Sequence, residues 1–275
     1  MKTILLIARK EIQEGLRNRW VLATTLLLAA LALTLTFLGS APTGNVGAGA
    51  LDVVIVSLSS LTIFLVPLIA LLISHDAVVG EMERGTMLLL LSYPVARYQV
   101  ILGKFAGHLA ILAFATLLGY GAAAAALAMT GADIDQASLQ AFLSMILSSI
   151  LLGAVFIAIG YFVSAIVGER GTAGGIAIGI WLLFVLIYDM ALLGLLVVDQ
   201  GRVVGTGVLN TLLLLNPTDA YRLLNLGSGG VGALSGMGGV AEHAGLSPLA
   251  LLAALAAWTL VPLAAAASVF SRREL

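Results

Sequence analysis

The 275-residue chain has no cysteine, which excludes disulfides, thiolate metal sites and thiol catalysis. Charge is scarce as well: 10% of residues are charged and 61% are hydrophobic. With a mean hydropathy of +1.12, a soluble core could not hide so much apolar surface. Composition therefore describes a polytopic membrane protein. The sequence also lacks a phosphate-binding loop of the form G-x-x-x-x-G-K-[ST], because Gly103-Lys104 has neither the earlier glycine nor the following Ser or Thr. H-E-x-x-H, G-x-S-x-G and paired carboxylates on a helix face are missing too. No catalytic residue, no ATP site and no cofactor is expected on this chain, and no nucleic-acid partner. Copper(I) favours thioether and imidazole ligands, but the seven methionines form no M-x-M or M-x-x-M cluster. Met237 and His243 share one loop as an isolated pair, and no metal site is assigned.

Six apolar runs are each long enough to cross a bilayer, which takes roughly 20 residues: Trp20 to Leu38, Val53 to Ser74, Val100 to Met129, Ala141 to Val167, Gly174 to Val198 and Leu249 to Phe270. An even number places both termini on one side. Eleven of the thirteen Lys and Arg residues fall on that side, with Arg202 and Arg222 on the other. The positive-inside rule then puts both termini in the cytoplasm. No cleavable signal peptide is evident. The expectation is an all-α integral membrane protein forming one domain over 1–275.

Residues 1–19 read as an amphipathic helix lying in the cytoplasmic headgroup layer. Ile4, Leu5, Ala8, Ile12 and Leu16 form its apolar face, and Leu6, Ile7 and Glu11 are imperfections in the pattern. A cytoplasmic segment at 75–99 contains the run Met87 to Leu91, too short to span and flanked by Glu81, Glu83 and Arg84. Such apolar surface outside lipid seeks a protein partner. His75 and Asp76 mark the end of the second span, and His108 reads as an interfacial residue. Asp189, beside Tyr188, is the one carboxylate deep in a span and so a functional candidate. It either lines a pathway or is a structural carboxylate bonded to a tyrosine hydroxyl or facing water. The outer loop at 199–248 carries an apolar stretch from Val208 to Leu215, then NPTDAYRLLNL, where Asn216 and Pro217 make a turn and Thr218 or Asp219 caps a helix. Gly227 to Gly245, with eight glycines, should be mobile. Gly103 with Gly107, and Gly171 with Gly175 and Gly179, are spaced for close helix packing within the monomer or across a dimer seam.

Six spans, an amphipathic start and the pattern E-x-x-x-G-T-x-x-L-L-L-S-x-P-V-x-R-x-x-x-x-x-G-K from Glu81 to Lys104 resemble the ABC-2 type permeases, membrane subunits of ATP-binding cassette transporters. Ala8 to Trp20 and Leu212 to Leu226 extend the likeness over most of the chain. It points to the branch that serves maturation of the copper centres of nitrous oxide reductase in the bacterial inner membrane. The resemblance implies a type V exporter-like fold and a homodimer bound to two copies of a cytoplasmic ATPase, which holds the ATP and magnesium, and to a periplasmic protein. It makes Glu81, Glu83, Arg84, Gly85, Thr86, Met87 and Leu88 part of a coupling helix running to Leu91. Gly168, Glu169 and Arg170 become a second ATPase contact, and Asn216, Pro217, Asp219, Tyr221 and Arg222 the outer docking site. An ABC-2 permease exporting an unrelated substrate, and a membrane scaffold independent of ATP, are the alternatives.

Overall fold

The computed structural model describes residues 2–17, 19–39, 50–131, 135–199, 205–227 and 244–273. Arg202, Met237, His243 and most of the glycine-rich stretch lie outside them. Regular structure among the described residues is helical: α1 (Lys2–Arg17), α2 (Arg19–Gly39), α3 (Ala50–Ser74), α4 (Val79–Glu83), α5 (Thr86–Leu91), α6 (Arg97–Met129) and α7 (Gln136–Ile166). Then come α8 (Arg170–Leu182), a π-helical turn (Leu183–Ile187), α9 (Tyr188–Asp199), α10 (Thr206–Leu215), α11 (Pro217–Leu226) and α12 (Pro248–Arg272). In lipid every backbone amide must be satisfied within its own segment, and apolar runs of this length do that only as helices.

Among the described residues, five helices are long and apolar enough to cross a membrane: Leu51–Glu83, Arg97–Met129, Gln136–Ile166, Arg170–Asp199 and Pro248–Arg272. The sixth expected span falls on α2, whose apolar stretch with described side chains is the shorter Leu26–Leu35. Side-chain caps set several boundaries. Asp135 accepts from the Ser138 amide at the start of α7, and Ser247 from the Ala250 amide at the start of α12.

α7 is the centre of the molecule: 72% of its most apolar stretch is buried, against 6% for Arg170–Asp199. It packs between α3 and α12. Polar tethers fix its neighbours in register. Ser149 Oγ meets Tyr221 Oη at 2.9 Å and Ser148 Oγ donates to Asn225 Oδ1 at 3.0 Å, seating α11 on α7. At the other end, Arg273 donates to Ala165 O and Val167 O, both at 2.8 Å, satisfying the last carbonyls of α7. Arg97 donates to Phe270 O at 3.1 Å. The two ends of the bundle thus differ. A basic end holds α1, α4, α5 and the first turns of α6 and α8; the far end holds α10, α11 and the start of α7, where Ser138 Oγ donates to Asp52 Oδ1 at 3.1 Å.

Candidate functional site

The basic end is built around the segment between α3 and α6. Ser164 Oγ of α7 accepts from the Val78 and Val79 amides at 3.0 and 3.1 Å, which starts α4 at a fixed place. The expected single coupling helix is two helices. Gly85 stands between them at φ +71°, a left-handed conformation that side chains disfavour, and it turns α5 away from α4. Met87 is 1% exposed and packs into the core, while Leu88 at 57% and Leu89 at 68% face outward. The short apolar run therefore splits into an anchor and an exposed pair.

Beneath it lies a buried charge cluster. Lys104 Nζ donates to Glu11 Oε1 at 2.7 Å and reaches Glu81 Oε1 at 2.9 Å, with the lysine side chain 3% exposed. Lys10 stands 3.6 Å from both carboxylates. Burial pushes the Glu11 carboxyl up, but Lys104, His108 and Lys10 together outweigh it, and its pKa settles below the ordinary 4.5. His108 Nε2 lies 3.5 Å from Glu11 Oε2, and its Nδ1 pairs with Tyr161 Oη at 2.8 Å. His108 thus links α6 to α7 and to α1 at the edge of the cluster.

Two glycines make this cluster possible. A Cβ on Gly107 would sit 2.5 Å from Glu11 Cβ, and one on Gly103 would sit 2.7 Å from Ile7 Cβ. The bare backbone of α6 is the seat of α1. Of the expected apolar face of α1, Ala8 is buried against the chain whereas Leu5 and Leu16 are exposed. Ile7 and Glu11, which interrupt that pattern, join Ala8 at the seat, and Leu6 is exposed.

The second expected contact joins the first. Glu83 Oε1 accepts from the Arg170 amide at 2.7 Å, capping the first turn of α8, where a carboxylate also meets the positive end of the helix dipole. Asp76 Oδ2 holds Arg170 Nε at 3.1 Å. Gly168 and Glu169 are exposed alongside, Thr86 Oγ1 donates to Glu81 O at 3.2 Å, and Arg84 is exposed. Glu83, Arg84, Leu88, Leu89, Glu169 and Arg170 are all exposed at this end, the Glu83–Arg170 bond joins α4 to α8, and Glu81 and Met87 are buried beneath. A cavity of about 490 Å³ opens behind these residues, between α1, α3, α4, α6 and α8, lined by Glu14, His75, Asp76 and Arg84 together with the cluster.

At the far end, Asp189 bonds to an arginine and, among the described residues, not to a tyrosine hydroxyl. Arg222 of α11 lies between two carboxylates, with Nη2 at 2.5 Å from Asp189 Oδ2 and Nη1 at 2.6 Å from Asp219 Oδ1. Burial and the Asp189 charge both raise the Asp219 pKa. Tyr188 Oη donates instead to Leu212 O at 2.7 Å. The N-cap of α11 is Asn216, which accepts from the Thr218 amide, and Pro217 takes the first helical position. Asn216 Nδ2 and Thr218 Oγ1 each donate to Phe184 O, within the π turn, at 3.1 Å. Asn216, Pro217, Asp219 and Tyr221 are all buried. The motif expected as an outer docking surface faces inward, because α11 is an amphipathic helix whose polar residues find partners on its neighbours.

A surface of exposed leucines and paired charges at one end of an apolar bundle is the arrangement of a transporter subunit, and the sequence match agrees. The description ABC-2 family transporter protein matches residues 5–275, and the chain belongs to this family, whose permeases are membrane components rather than enzymes. Among its relatives, a "Probable ABC transporter permease protein NosY" of Stutzerimonas stutzeri is 49% identical over 269 residues, covering 97% of each chain. The NosY protein of the same description from Pseudomonas aeruginosa is 47% identical over 276 residues, covering 100% of each.

Proposed function

We propose that this chain is the membrane-spanning permease subunit of an ABC transporter of the NosDFY kind. It couples ATP hydrolysis by a separate NosF-like ATPase to transport, or to mechanical transmission, across the bacterial inner membrane. Its service is maturation of the copper sites of nitrous oxide reductase. The observation that supports this reading is the union of α4 with the start of α8, where Glu83 and Asp76 hold Arg170, together with the exposed Leu88 and Leu89 on the adjoining α5. An exposed pair of leucines beside charged residues fits a groove on a partner better than it fits water. The functional unit is a homodimer, with a NosD-like protein at the far end, which is periplasmic, and both termini in the cytoplasm.

Six spans are supported by connectivity. Glu11 of α1 is tied to the basic end and Asp52 of α3 to the far end, so α2 runs from one to the other; its 21 residues reach about 31 Å at roughly 1.5 Å each. The test is purification of the complex from its native membrane. An ATPase is expected to accompany the wild-type chain, and Leu88→Asp with Leu89→Asp is expected to release it while leaving the permease folded. A wild-type preparation free of any ATPase defeats the reading.

A further inference from the structure

α8, the π turn and α9 form one membrane-crossing helix that is little packed into its own chain, since 6% of its most apolar stretch is buried. Its polar ties gather at Arg170 and, further along, around Asp189, with apolar contacts of Ala173, Ala177, Phe184 and Val185 between them. At the basic end, Arg170 is held by its amide to Glu83 and by its guanidinium to Asp76. At the far end, Asp189 is held by Arg222, and Phe184 O by Asn216 and Thr218. Between them, Trp181 Nε1 donates to Phe64 O at 2.9 Å. Arg170 and Asp189 lie about 28 Å apart along the helix at roughly 1.5 Å per residue, close to the hydrocarbon thickness of about 30 Å.

We infer that this helix carries displacement of the α4–α5 surface to α10 and α11, and that Arg170 and Arg222 are the positioning residues of its two clamps. The inference rests on the function proposed above. A static anchor would be served at least as well by apolar packing, because a buried ion pair gives little net stability. Ion pairs instead fix direction and register, which a moving rod needs at both ends. The far clamp is built without full satisfaction: Asp189 Oδ1 is buried and has no hydrogen-bond partner among the described residues. The π turn adjoins that clamp, and such turns are register defects that favour functional movement. Because α7 holds α11 through Tyr221 and Asn225, a pull on Arg222 tilts α11 about those bonds and moves α10 with it.

The experiment uses the intact complex in lipid nanodiscs. The chain has no native cysteine, so cysteines introduced at Met129 and Val208, both exposed at the far end, take spin labels cleanly. ATP is expected to shift the label distances in the wild-type complex. Arg222→Gln is expected to abolish the shift while ATPase binding and hydrolysis persist, and Arg222→Lys to restore it. Should Arg222→Gln fail to assemble, Thr218→Val, which removes one bond to Phe184 O, must show the same loss. An unchanged shift in Arg222→Gln overturns the inference. So does a silent Arg222→Lys that folds, or a wild-type shift of zero with ATPase bound. Absence of the ATPase from the wild-type complex instead overturns the function on which the inference rests.

Discussion

Lys104 decides more at the basic end than any other single residue. It lies 2.7 Å from Glu11 and 2.9 Å from Glu81, and removing it leaves those two carboxylates with only the more distant, half-exposed Lys10 as a shared cation. Lys104→Met is therefore expected to lower stability by about 3–5 kcal/mol, the cost typical of breaking a buried pair from one side. Glu11→Gln is expected to cost less, since Lys104 keeps Glu81 at 2.9 Å; denaturation of the two variants in detergent measures the difference. The pH response follows from the same pair. Glu11 has its pKa lowered in the folded chain, so its contribution is full above the ordinary 4.5 and is lost as pH falls through the lower folded value. Hydrogen exchange in α1, corrected for intrinsic rates, should hold steady through neutral pH and rise only in acid below that ordinary value. None of this was legible at residue level. A glutamate among leucines looks like noise in an amphipathic pattern until its partner, 93 residues away, is known.

Elements were easier to read than contacts, for a physical reason. Long apolar runs have one solution in lipid, so the spans from α3 onward follow from hydropathy. The α4–α5 break needed a backbone angle at Gly85, and hydropathy carries no angles. Helix seating likewise depended on which glycines meet a neighbour. Gly107 does and Gly175 does not, its Cβ position having nothing within 4 Å, although the spacing of both reads alike. Gly107→Ala is expected to push α1 off α6 at a cost of about 1–3 kcal/mol, as overpacking does. Gly175→Ala should leave α1 unchanged. Cross-linking of cysteines placed at Ile4 and Lys104's neighbour Gly103 is unsuited to the test, because it alters the seat; hydrogen exchange of residues 4–12 reports it directly.

For the whole molecule, the prediction is one of sidedness. A cysteine at Ser92 should react with impermeant reagents only from the cytoplasmic face, and one at Met129 only from the opposite face; the reverse pattern inverts the proposed topology. The expectation of sidedness rests on how Lys and Arg cluster along the chain, whereas the inward turn of Asn216 to Tyr221 was not legible, since a polar motif looks the same facing water or a buried carboxylate. One further consequence follows from the glycine seat. α1 leaves the ribosome before its seat does: Gly103, Lys104 and Gly107 follow it by some ninety residues, which at roughly 5–20 residues per second takes on the order of 5–20 s. Throughout that interval α1 has no seat, and its exposed Leu5 and Leu6 leave the lipid surface as its holding place. The earlier helix is secured late, so the order of synthesis and the order of assembly run in opposite directions.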